Sequence, residues 1–140
     1  MNTEDTLILM VDDDEEDRFL LQDTFDELGY GKCIHFEDNG EKALGYLAGA
    51  RASGALPTLV ILDLNMPKLN GRETLRQIKA SPELQHLTVV IFSTSLNPIE
   101  RDECLTLGAH SYEVKPNSFK ESLHVARRFY ELAGSLRSGV

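Results

Sequence analysis

"LILMVDDDEEDR", residues 7–18, sets five apolar residues directly against six consecutive acids. A short apolar run of this kind has the length of a fully buried strand, and the acids mark where that strand ends. Six like charges in a row repel, so their place at the end of a hydrophobic strand calls for a compensating partner. Asp14, Glu15, Glu16 and Asp17 find one in the positive end of the helix that follows, as an acidic cap and a solvated first turn. For Asp12 and Asp13 taken alone the same cap account and a bound divalent cation are both open.

The same strand-then-turn pattern recurs along the chain. Leu7–Val11, Cys33–Phe36, Leu59–Leu62, Val89–Phe92 and Tyr112–Val114 read as five strands, separated by segments with helical spacing such as Leu21, Phe25 and Leu28, or Leu75 and Ile78. Gly29 and Gly108 fall where a helix C-cap belongs, Asn97-Pro98 reads as an N-cap followed by proline, and "SFKE" (118–121) opens the last helix as a capping box. Gly40 and Gly71 are read as turn or cap residues, and "AGARASGALP" (48–57) as a loop. Strands this uniformly apolar suit a parallel sheet covered by helices on both faces. The expectation is a doubly wound α/β domain of five parallel strands and five helices, one domain over residues 1–140 with no separate output domain.

Composition narrows the partners. With 23 Asp and Glu against 14 Lys and Arg, the 140-residue chain carries a formal net charge of −9, which disfavours nucleic acid and anionic membranes. No apolar run approaches a membrane span, and the amino terminus lacks a signal-peptide pattern, so a cytoplasmic location is expected. Cys33 and Cys104 lack metal or redox spacing and are read as free thiols; His35, His86, His110 and His124 likewise lack ligand spacing.

In open α/β sheets, ligands bind beyond the carboxyl ends of the strands. "LVILDLNMPKLNG" (59–71) puts Asp63 at one such end, "VVIFSTS" (89–95) puts Ser93 at another, and "YEVKP" (112–116) puts Lys115 at a third. If the first and third strands are neighbours, Asp12, Asp13 and Asp63 share a pocket suited to Mg²⁺. Each residue has a plainer reading, as turn former, strand-end hydroxyl or solvated lysine; together they describe phosphoryl transfer. Asp63 would attack phosphorus in line, with Lys115 and the Ser93 hydroxyl stabilising the equatorial oxygens.

In order and spacing, "VDD", "LDLNMPKLNG", Ser93 and Lys115-Pro116 resemble the receiver domain of bacterial two-component response regulators across Leu7–Leu132. The resemblance implies strand order 2-1-3-4-5 and a phosphoacceptor signalling protein rather than an enzyme, with Asp63 taking phosphate from the phosphohistidine of a sensor histidine kinase. It implies direct Mg²⁺ ligation by Asp13, Asp63 and the Asn65 backbone carbonyl, Asp12 acting through water, and a cis bond before Pro116. Ser93 and Tyr112 would form a switch that alters the face of the fourth helix, fifth strand and fifth helix. "SPELQHLTVVIFSTS", "NGRE" and the loop before the third strand resemble stand-alone regulators paired with phytochrome-type kinases, which suggests a bacteriophytochrome partner.

Two other functions compete. A phosphorelay intermediate or phosphate sink would pass phosphate on to a histidine phosphotransfer protein. A haloacid dehalogenase-type phosphatase would use a similar Asp, Ser, Lys and Mg²⁺ set, but its second aspartate is Asn65 here and the chain lacks room for a cap domain. Lastly, the final helix carries two apolar stripes, Phe119, Leu123, Ala126, Tyr130, Ala133 and Val125, Phe129, Leu132, Leu136. One is expected to face the sheet; for Val125 and Phe129 a merger of both stripes into one broad buried face is equally open, while Leu132 and Leu136 point to a symmetric homodimer through the fifth helix and the adjoining fourth-helix face.

Overall fold

The computed structural model describes residues 6–66, 68–94 and 96–138; Met1–Asp5, and Pro67 and Ser95 of the quoted motifs, lie outside them. The strands are β1 (Ile8–Val11), β2 (Ile34–Glu37), β3 (Leu59–Leu62), β4 (Thr88–Ser93) and β5 (Ser111–Val114). They form one parallel sheet in the order β2-β1-β3-β4-β5. The helices are α1 (Glu15–Glu27), α2 (Gly40–Ala52), α3 (Gly71–Ala80), α4 (Pro98–Leu107) and α5 (Phe119–Ser138), with a short 3₁₀ turn at Gly31–Cys33.

Alternation along buried strands builds two cores. Leu9, Val11, Val60, Leu62, Val89 and Ile91 point to one face and pack with Leu47, Leu75, Ile78 and Cys104 from α2, α3 and α4. Ile8, Met10, Leu59, Ile61, Val90 and Phe92 point to the other and pack with Leu21, Phe25, Phe129 and Ala133 from α1 and α5. Each central strand is thus buried on both sides, which is why it reads as a continuous apolar run. Both cysteines are free, Cys104 buried and Cys33 half-buried.

Helix starts carry side-chain caps at the edge where the strands end. Asp14 accepts from the Glu16 and Asp17 amides, Asn39 from Lys42, Asn70 from Glu73, and Asn97 from Ile99 and Glu100. The Ser118 hydroxyl accepts from the Glu121 amide, as the capping box requires. At the other end of α4, Gly108 takes φ +114°, a left-handed cap that lets its amide reach the Cys104 and Leu105 carbonyls.

Two expectations need correction. Ala48–Ala52, expected as loop, continues α2, because alanine favours helix and Leu47 and Ala50 lie on its buried face. The two stripes of α5 do not separate either. Val125, Ala126, Phe129 and Ala133 are all buried, with Phe129 meeting Phe92 edge to face at a centroid distance of 5.3 Å, while Leu132 and Leu136, expected outward, are half-buried. The helix packs against α1 as well as the sheet, with Tyr130 stacked on Tyr30 at 3.6 Å, so its apolar face is broader than sheet contact alone requires.

Candidate phosphoacceptor site

The β1–β3 register pairs Val11 with Leu62, so the next residues, Asp12 and Asp63, leave adjacent strands side by side. Two backbone bonds extend the ladder into the site: the Asp63 amide donates to the Val11 carbonyl at 2.9 Å and the Asp12 amide to Glu37 at 3.1 Å. On the far side, the Lys115 amide donates to the Ser93 carbonyl at 2.6 Å, fixing the lysine where β4 and β5 end.

Lys115 organises the centre. Its ammonium lies 2.6 Å from Asp12 Oδ2, 2.8 Å from Asp17 Oδ2 and 3.7 Å from Asp63 Oδ1. Burial alone would pull the lysine pKa down, but hydrogen bonds to Asp12 and Asp17 and the nearby charges overcome it and push it up to about 12. Burial raises the Asp12 carboxyl against the pull of Lys115. For Asp63, burial outweighs the attraction of Lys115, and the charges of Asp12 and Asp13 add to it, placing the carboxyl at about 6.

Asp12, Asp13 and Asp63 each present an oxygen, all within 4.8 Å of one another. The three differ in what else holds them. Asp12 is fully buried, one oxygen taken by Lys115 and the other accepting the Asp14 amide at 2.9 Å. Asp13 is exposed, and Asp63 is nearly buried. They border an open cleft of about 520 Å³, with Asn65, Thr94 and Lys115 also on its walls. An all-oxygen set of this kind matches a hard divalent cation, and two carboxylates beside a third leave excess negative charge for it to neutralise.

Several expected positions need qualification. Ser93 ends β4 but is buried, and Thr94 rather than Ser93 lines the cleft. Tyr112 is half-buried and packs against the α2–α3–α4 core. Among the described residues no peptide bond is cis, so Lys115–Pro116 is trans, against the expected cis bond. The four-carbon lysine stem spans the distance to Asp12 and Asp17 from that backbone. Asp17, read from sequence as a solvated first-turn acid, is instead a partner of Lys115. Its position three residues after the Asp14 cap was the available signal, since a side chain there reaches back toward the helix start. Arg18 was also missed: its Nη1 donates to the Asp12 carbonyl at 2.7 Å.

The response regulator receiver domain model matches residues 8–127. The chain is 35% identical over 116 residues to the probable methanogenesis regulatory protein FilR2 of Methanothrix harundinacea, covering 82% of this chain and 75% of that protein. It is 31% identical over 117 residues to response regulator Rcp1 of Synechocystis sp., covering 82% and 80%. Among solved structures, the phosphorylated cyanobacterial phytochrome response regulator RcpA superposes with a TM-score of 0.79 at 29% identity, over 95% of this chain and 94% of that one. Shared sheet order, acidic strand ends and the family match lead to one conclusion: the chain belongs to the response regulator receiver domain family, and among its relatives are phytochrome response regulators.

Proposed function

We propose that Asp63 accepts a phosphoryl group from the phosphohistidine of a sensor histidine kinase and that the resulting acyl phosphate changes how the domain binds other proteins. The observation that carries this reading is the meeting of a cleft-lining carboxylate with a lysine ammonium 3.7 Å away and two further acids. An Asp63 oxygen attacks phosphorus, the P–N bond to the donor imidazole breaks, and the ring nitrogen keeps that electron pair. Lys115, already tethered by Asp12 and Asp17, neutralises charge on the equatorial oxygens. In the metal-free domain burial raises the Asp63 carboxyl, so a cation bound beside it would also favour the ionised form that attacks.

Mg²⁺ fits the same acids: bound there, it would neutralise phosphoryl charge during transfer. Direct ligation by Asp13, Asp63 and the Asn65 carbonyl rests on the place of these residues at the cleft, and the engagement of both Asp12 oxygens elsewhere supports a role for Asp12 through water. A phytochrome-type kinase is the proposed donor, on the likeness to RcpA and Rcp1. The Ser93–Tyr112 switch is proposed to act on the surface of α4, β5 and α5, where Ile99, Leu105, Val114 and Phe119 are exposed. A symmetric homodimer would use that surface, because the buried Val125 and Phe129 are not available to it.

Labelling with a small phosphodonor such as acetyl phosphate, with Mg²⁺, tests the central claim. Wild type should take up one acid-stable, base-labile phosphoryl group and Asp63→Asn none, with its fold retained by circular dichroism. Equal labelling of the two proteins would refute the assignment. Adding candidate kinases and histidine phosphotransfer proteins to the labelled chain then follows where the phosphate goes.

A further inference from the structure

Beside the acidic cleft lies a second, much smaller cavity of about 20 Å³, bordered by Asp17, Leu21, Phe92, Lys115, Pro116 and Ser122. On the same measure one water needs roughly 10–15 Å³, so there is room for a single molecule. Ser122 is 1% exposed, and its Oγ has no hydrogen-bond partner among the described residues. Its own backbone amide donates to the Ser118 carbonyl at 3.0 Å within the first turn of α5. Buried hydroxyls are ordinarily paired, and buried water is a common partner where protein groups do not supply one.

The cavity also offers what a water needs. Asp17 and Lys115 on its wall carry an acceptor and a donor, and the short bonds of Lys115 to Asp12 and Asp17 use two of its three ammonium hydrogens. Leu21, Phe92 and Pro116 supply apolar walls that confine the molecule. We propose that this cavity holds one water bonded to Ser122 Oγ and to the Lys115–Asp17 pair, making Ser122 a positioning residue for the Lys115 ammonium. Lysine has a flexible stem and a compact charge. A tether through α5 restricts where that charge rests and couples its position to the helix that carries the proposed interaction surface. The consequence for phosphoryl transfer rests on the proposed function; the water site itself does not.

Two measurements on the full chain test this. A crystal structure fine enough to show ordered solvent should place one water within hydrogen-bond distance of Ser122 Oγ and of Lys115 Nζ or an Asp17 oxygen. A dry cavity, or a Ser122 hydroxyl bonded directly to a protein group, would overturn the proposal. Ser122→Thr and Ser122→Val have the same shape and differ by the hydroxyl, so packing strain cancels between them. At saturating Mg²⁺ the Val variant should be phosphorylated about 3–10-fold more slowly than the Thr variant, with the same half-saturating Mg²⁺ concentration, as expected for a lost orienting contact. Equal rates for the two would refute the positioning role. Should no variant, nor wild type, take up phosphate at all, the function proposed for Asp63 fails while the crystallographic result still decides the water site.

Discussion

At the scale of single residues, the acids of the cleft do different work. Asp63 has its carboxyl at about 6, against 3.8 in an unfolded chain, chiefly because burial disfavours its charge. Between those values the folded state holds a proton that the unfolded state has released, so stability falls as pH rises from about 4 to 6 and stays lower above. In metal-free protein, Asp63→Asn should therefore raise stability at pH 7 by on the order of 1–3 kcal/mol and by almost nothing at pH 4 or below. Denaturant melts at the two pH values in EDTA check this. Asp13 is exposed and its charge repels that of Asp63, so Asp13→Asn should leave the metal-free melting temperature equal or higher while lowering phosphorylation. It should also shrink the Mg²⁺-induced rise in melting temperature by more than half. A variant with the full wild-type rise would remove Asp13 from the metal site.

At the scale of elements, the β3–α3 connection holds Asp63, the proposed phosphoacceptor, in place. A Cβ on Gly71 would lie 2.1 Å from the Asp63 carbonyl oxygen and 2.8 Å from Leu64 Cα, both backbone atoms that cannot swing aside. Gly71→Ala should cost about 1–3 kcal/mol in denaturant unfolding and also weaken Mg²⁺ binding, because relief of the clash moves Asp63. A loss of stability with unchanged Mg²⁺ affinity would separate the turn from the site. Elements of this chain were legible in sequence to different degrees. Strands β1, β3 and β4 stood out because they are buried on both faces and so consist of unbroken aliphatic runs. The end of α2 did not, because "AGARA" is compositionally as much a loop as a helix and only the packing of Ala50 decides it. Asp63 stood out because it follows the apolar run Leu59–Leu62 directly, and Lys115 because it comes straight after the last strand. Asp17 was harder to single out among neighbouring acids: its place three residues after the Asp14 cap marks it, but only the folded position of α1 shows that it meets Lys115.

For the whole molecule, the position of α5 separates stability from association. Phe129 is 1% exposed and sits between the sheet and α1, so Phe129→Glu should unfold the chain by burying an unpaired charge, at a cost of about 4 kcal/mol or more. Ile99→Glu with Val114→Glu alters exposed side chains instead and should preserve the fold while abolishing the proposed dimer. Light scattering beside circular dichroism distinguishes the two outcomes, and a wild-type monomer at every concentration, phosphorylated or not, would refute the dimer. The Lys115–Asp12 bond joins residues 103 positions apart, from the first strand and from the last connection. Loops of that span close late and at an entropic cost. A chain in which that contact has not formed holds the acids without the lysine, so on the proposed function the ability to take phosphate would arrive together with the finished sheet.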